Sequence, residues 1–183
     1  DGIIRGIYKF QAAAEKRDLN AQLLASGVGV NWALKAQKLL LEDWGVAADL
    51  WSVTSWNELR RDGLEVDRHN MMNPESPRTA YITTKLAGSV GPVVAVSDFM
   101  RAVQDQVAPW VANPFTSLGT DGFGLSDTRG ALRRHFRVDA ESIVVATLAA
   151  LVREGKVQVA TLRAALDKYA LHDIMAADPG NTE

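Results

Sequence analysis

The sequence has no cysteine. That absence excludes disulfides, a thiol nucleophile, and zinc or iron–sulfur sites built on thiolates. Histidine is scarce, at three residues: His69, His135 and His172. None forms an H-x-x-x-H or H-E-x-x-H pair, so a zinc hydrolase is not indicated. His135 sits beside Phe136 and reads as a surface or interface residue. No apolar run reaches the ~18 residues that a membrane helix needs, and no signal peptide is visible. No G-x-S-x-G elbow is present. No basic stripe suits nucleic-acid phosphates, since the net charge is −2 and the pI about 6.0. The basic pairs Lys16-Arg17, Arg60-Arg61 and Arg133-Arg134 read as solvated faces.

What is present is ordinary globular material: 183 residues, 47% hydrophobic and 23% charged. Such a length fits one domain and buries roughly two thirds or more of the unfolded surface. One α/β domain over 1–175 and a flexible tail over 176–183, "AADPGNTE", are expected. The chain opens at Asp1 rather than Met, which suits an excised or processed piece of a longer protein. The lack of cysteine fits a cytoplasmic location.

Short β-like runs alternate with amphipathic helical ones. Strands are expected at Ile3–Phe10, Ala21–Gly27, Ala47–Ser55, Gly91–Asp98 and Phe115–Thr120. Between them, Asn31 opens a helix whose buried face holds Trp32, Ala36, Leu39, Leu40 and Trp44, with Gly45 as the stop. Ser55 and Glu58 have capping-box spacing, and Gly63 shortens or bends the helix they open. Between Asp67 and Ala87 the pattern is weak, and "NPESP" is irregular. "DRHNMMNP" is expected to pack rather than catalyse. A helix with Phe99, Val103 and Val107 on one face ends near Pro109. Three more helices follow. One starts near Ser126 or Asp127, one is capped by Asp139 and stopped by Gly155, and one runs from about Val157. Trp51, Trp56 and Trp110 are expected on faces that meet another domain.

This alternation predicts a three-layer α/β/α sandwich. Its five-stranded sheet is mostly parallel, with an antiparallel edge strand contributed by the first run. Ligands of such sheets gather at the carboxyl ends of the strands. Those ends carry Ser26 and Gly27, Thr54 and Ser55, Ser97 and Asp98, and Gly119, Thr120 and Asp121. Two readings apply: a small-anion or regulatory ligand pocket involving Ser26, Gly27, Ser55, Asp98, Gly119, Thr120 and Asp121, or ordinary caps and turns. "GTDGFGLSD" is not a dinucleotide fingerprint, because the third glycine would fall on Asp127. Nor is it a Walker loop, because no G-K-[ST] follows. Asp121 and Asp127 would also repel a phosphate.

Several stretches resemble a known family. "RGIYKF", "SVTSWNELRRDG", "RHNMMNPESPRTAYI" and "LGTDGFGLSDTRGALRRHF" are similar to the carboxyl-terminal domain of the homodimeric bacterial pyruvate dehydrogenase, from about Ile3 to Leu171. The "DGFG-x-S" turn is also similar to the equivalent place in transketolases. The resemblance implies a parent of three domains that decarboxylates pyruvate and passes the acetyl group to lipoyl groups. It implies thiamine diphosphate and magnesium in that parent, held between the first two domains across a homodimer interface. The family's G-D-G…N-N cofactor motif is absent here, so no catalytic, cofactor-binding or metal residue carries over. The resemblance therefore implies a third domain that is inactive alone. It would support the dimer, pack on the other two domains, and meet the dihydrolipoyl acyltransferase of the complex. Two alternatives are a ligand-binding α/β module and a domain of a transketolase or 2-oxoacid decarboxylase relative.

Overall fold

Four runs dominated by Val, Leu, Ala and Trp lie side by side as parallel strands: β2 (Leu19–Ala25), β3 (Val46–Val53), β4 (Val93–Val96) and β5 (Phe115–Leu118). The first strand, β1 (Ile7–Gln11), joins them antiparallel. It pairs Ile7 with Val53 and shifts register between Lys9 and Gln11. In this computed structural model, which describes residues 1–177, the order across the sheet is β1-β3-β2-β4-β5. The expected antiparallel edge strand is therefore found, four residues later in the chain than its pattern indicated. The tail expected at 176–183 lies, from 178 onward, outside the described residues.

Alternating side chains feed two cores, as the two-residue strand period requires. Leu23, Ala25, Val46, Ala48, Leu50, Val94 and Val96 face α1 (Gly29–Trp44), α6 (Ala140–Arg153) and α7 (Val159–Lys168). Ile7, Leu24, Trp51, Val53, Val93 and Ala95 face α2 (Trp56–Met72) and α3 (Tyr81–Leu86). Val103 of α4 (Arg101–Asp105) and Val107 beyond it close that second layer. Layers on both faces of a mostly parallel sheet make the three-layer sandwich. No helix among the described residues is long and apolar enough to cross a membrane.

Several local expectations are corrected. Helix α1 begins at Gly29, two residues before Asn31, because the chain turns tightly after β2 and starts the helix beside the end of β4. A Cβ on Gly29 would stand 3.3 Å from the Val96 carbonyl oxygen. Gly45, at φ 64°, ends α1 as expected. Gly63 does not shorten α2. The ring of Trp110 packs where its Cβ would be, and the helix runs on for nine more residues to Met72. Met71 and Met72 are exposed rather than packed. The segment with a weak pattern contains α3, anchored by the Tyr81 amide on Asp62 Oδ2 at 2.6 Å.

Phe99 leaves the expected helix. Its amide donates to Ser97 Oγ at 3.0 Å, which turns the chain outward, and regular helix spans only Arg101–Asp105. Helix α5 (Arg129–His135) is capped by Thr128, not by Ser126 or Asp127, because the Thr128 hydroxyl accepts from the Ala131 amide. Trp51 and Trp56 are buried inside the domain rather than on faces that meet another.

Candidate functional site

The carboxyl ends of the strands open onto a groove of about 660 Å³ between the ends of β2 and β3 and the turn after β4. Its walls are Val30, Val53, Trp56, Phe99 and Val103, and its polar rim includes Ser26 and Ser55. Such a volume lies within the usual range for small-molecule pockets. No charged side chain lines it.

The rim hydroxyls are committed to the fold. Ser26 Oγ accepts the Trp56 indole N–H at 3.0 Å. Ser55 Oγ caps α2 by accepting from the Glu58 amide at 3.1 Å. Thr54 Oγ1 donates to the Ile3 carbonyl at 2.6 Å, which ties the start of the chain to the end of β3. Gly27, at φ 57°, makes the turn that lets α1 start at once. The groove thus has chemistry suited to an apolar or neutral group.

The predicted residues do not converge. Ser26, Gly27 and Ser55 share this groove. Gly119 and Asp121 line a separate cleft of about 290 Å³ with Arg101, Ser117, His135 and Arg137. Asp98 and Thr120 line neither.

In the second cleft, Asp121 is clamped by one residue. Its Oδ1 accepts the Arg101 amide at 2.9 Å, and its Oδ2 accepts Arg101 Nε at 2.5 Å. These bonds, led by the backbone one, hold its carboxyl below the usual range. The Thr120 amide donates to the Phe99 carbonyl at 2.9 Å, and a Cβ on Gly119 would run into that same carbonyl. "GTDGFG" is therefore built to bring β5 against the turn before α4. Partial desolvation raises the Asp98 carboxyl above its ordinary value, with the charge of Arg133 opposing.

Among the described residues, no group of three or more His, Asp or Glu side chains is placed to hold a metal ion. The strand ends do not fit thiamine diphosphate with magnesium. The larger groove offers neither a counter-charge for a pyrophosphate nor a carboxylate for the metal.

Sequence reasoning missed Phe99 and Met100, which stand 58% and 57% exposed at the same rim. Their helical spacing hid them. The signal was Ser97, whose hydroxyl competes with a helix start by capping the turn. Val28, in the turn after β2, and Phe123 and Leu125, in the turn after β5, are exposed as well.

This architecture defines a class. The sequence profile of the transketolase-like TK C-terminal domain matches residues 6–139, and the chain belongs to that family. Among solved structures, transketolase from Leishmania mexicana shares the fold. Its TM-score is 0.54 at 21% identity, over 83% of this chain and 19% of that one. A split-gene transketolase, described as an inactive β4 tetramer, gives a TM-score of 0.56 at 19% identity. It covers 81% of this chain and 43% of its own.

The particular relatives are narrower. The pyruvate dehydrogenase E1 component of Mycolicibacterium smegmatis is 49% identical over 97% of this chain. That of Escherichia coli K12 is 40% identical over 92%. The chain spans about a fifth of the length of each: 19% in both cases.

Proposed function

We propose that these residues form the non-catalytic third domain of a homodimeric pyruvate dehydrogenase E1 component. The parent would decarboxylate pyruvate on thiamine diphosphate and magnesium and transfer the acetyl group to lipoyl groups of a dihydrolipoyl acyltransferase, in the cytoplasm. The observation that carries this reading is the 49% identity to an E1 component along almost the whole chain. Transketolase-like folds in general match at only 18–21%.

Two structural features support a supporting rather than a reacting role. The polar groups at the strand ends are spent on caps and braces. In the turns that follow β2, β4 and β5, Val28, Phe99, Met100, Phe123 and Leu125 are exposed, Phe123 at 96%. Exposed apolar side chains beyond the carboxyl ends of three strands suit a surface that other domains of the parent, or its dimer partner, would cover. On this reading residues 1–175 act as one unit.

Calorimetry tests the claim on the 183-residue chain. No magnesium-dependent uptake of thiamine diphosphate is expected, and tight uptake would overturn the role. The natural protein that carries this chain is expected to acetylate a lipoyl domain from pyruvate. Failure to do so with the cofactors supplied would overturn the parent's assignment.

A further inference from the structure

A third cleft lies between α6, α7 and the end of β5, and it meets the Asp121 cleft at Leu118 and Arg137. It encloses about 470 Å³. Most of it falls beyond residue 139, where the family match ends. Its floor is aliphatic, built from Leu118, Val145, Ala146 and Leu166, and no Phe, Tyr or Trp ring lines it among the described residues.

Four polar features distinguish it. Arg137 and Arg163 both line it, and neither guanidinium has an ion-pair or hydrogen-bond partner among the described residues. Asp167 adds one carboxylate, so the two guanidinium groups leave a surplus of one positive charge over the carboxylate in the lining, which also includes His172. Ser142 also lines it. That side chain is 3% exposed, and its Oγ has no hydrogen-bond partner among the described residues. A buried hydroxyl left without a partner costs about 1–3 kcal/mol, so it marks a place where a partner is missing. The α6 amides do not supply one, since the Ser142 amide is already taken by Asp139 Oδ1 at 3.0 Å.

The walls are held in unusual backbone. Among the described residues only Arg137 and Ala170 have positive φ without being glycine, at 58° and 43°. Arg137 lines the cleft, and Ala170 directly precedes its Leu171 and His172. One buried residue, Arg134, fixes both walls. Its Nε binds Asp139, and its Nη1 reaches the carbonyls of Tyr169 at 3.1 Å and Ala170 at 3.4 Å. Backbone strain of this kind persists where the surroundings over-determine it, and it clusters at ligand sites.

We propose that this cleft binds an aliphatic monocarboxylate: the carboxylate held by Arg137 and Arg163, an oxygen on the Ser142 hydroxyl, and the alkyl body on the Leu118–Val145–Leu166 floor. Guanidinium groups match a carboxylate in a planar, two-pronged way. The net single charge selects a monoanion over a polyphosphate. The aliphatic floor, without a Phe, Tyr or Trp face to stack on, selects an alkyl body over a nucleotide base. The inference does not depend on the activity of any parent enzyme.

Octanoate is the probe, titrated into the 183-residue chain by calorimetry and by amide NMR. A single site is expected with Kd below about 1 mM, with shifts centred on Ser142, Ala146 and Leu166. Acetate, lacking the body, and octanol, lacking the charge, are each expected to bind at least about tenfold more weakly, the loss that follows from one charged hydrogen bond or a few methylenes. Arg163→Gln, an exposed helix position that leaves the fold intact, is expected to weaken octanoate about tenfold. Ser142→Ala is expected to weaken it a few-fold. Equal binding of octanol and octanoate would overturn the proposal. So would shifts confined to the groove at Phe99, or an Arg163→Gln chain that binds octanoate as the native chain does.

Discussion

The two faces of the sheet are packed by different means. The α1/α6/α7 face is aliphatic and small: Ala21, Ala25, Ala33, Ala36 and Ala48 let helices lie close, and Leu40, Leu148 and Leu151 fill between them. Into it goes one charged group, Arg134, with Asp139 and Glu141. The α2/α3 face is aromatic: Trp51, Trp56 and Tyr81 fill it, and each indole N–H needs an acceptor. Trp51 donates to Gln22 Oε1 at 2.9 Å and Trp56 to Ser26 Oγ at 3.0 Å. On the first face the rings, Trp32, Trp44, Phe136 and Tyr169, stay at the partly buried edge, and the buried tie is an ion network. The second face buries its rings and ties them through neutral hydrogen bonds, which are individually weaker.

Four single substitutions and one double mutant sharpen that contrast, and the strongest lies on the aliphatic face. Arg134→Ala leaves Asp139 buried without its cation, while Glu141 keeps Lys35 at 3.0 Å, and is expected to destabilise by about 3–5 kcal/mol. Denaturant titration measures it, and a loss no larger than that of a neutral hydrogen bond would erase the difference between the faces.

Leu148→Ala, in the same layer, is expected to cost about 2–5 kcal/mol through the cavity left among α1 and α6 side chains. On the aromatic face, Trp56→Phe removes the indole N–H and the five-membered ring that carries it. About 1–3 kcal/mol is expected from the abandoned Ser26 hydroxyl, over and above the cost of the void, and that part is recovered when Ser26→Ala is added. A double mutant no better than the single one would show that the indole acts by volume.

The smallest effect is electrostatic. At the edge of the aliphatic face Asp43 accepts from Tyr169 at 2.8 Å and pairs with Lys168 at 2.7 Å. The Lys168 bond, the largest influence, holds its carboxyl below the ordinary 3.8, with burial opposing. A lowered folded value means the contribution is complete above pH about 4 and fades as pH falls through that lowered value. Asp43→Asn is therefore expected to cost less than about 1 kcal/mol at pH 7. Its penalty should vanish near pH 2, as thermal melts at the two values would show. Tyr169 lies in the same contact, and its hydroxyl is pushed up mainly by burial, so it stays protonated across this range.

Much of the layering was legible because it is periodic. Continuous apolar runs marked β2 through β4, and capping chemistry at Ser55 and Asp139 held at the residues read. What escaped depended on partners distant in sequence. Gly63 reads as a helix breaker until Trp110, 47 positions later, is seen filling its place. Trp51 and Trp56 read as interface residues because Gln22 and Ser26, their acceptors, are invisible as such in a linear chain. Thr128 outcompeted two nearer polar residues because Asp127 turned inward on the Thr128 amide at 2.6 Å.

The candidate site was legible only as a set of strand ends. That these ends divide between a groove at Trp56 and a cleft at Arg101 follows from where Phe99 turns. The cleft between α6 and α7 left no linear signal at all, because Arg137, Ser142 and Arg163 meet only through packing.

The edge strand β1 has a consequence for the order in which this sheet can form. It is made before the other four strands, yet its partner in the sheet, β3, ends 42 residues after Gln11, at Val53. Residues 7–11 must wait unpaired while β2, α1 and β3 emerge, and Ile7 waits with them although it ends fully buried. During that wait Lys9, which later pairs with Asp49, and the bulge that follows it blunt pairing with strangers. The β2–α1–β3 unit is then the first part of this sheet able to close, and its last step is the capture of a strand made before it.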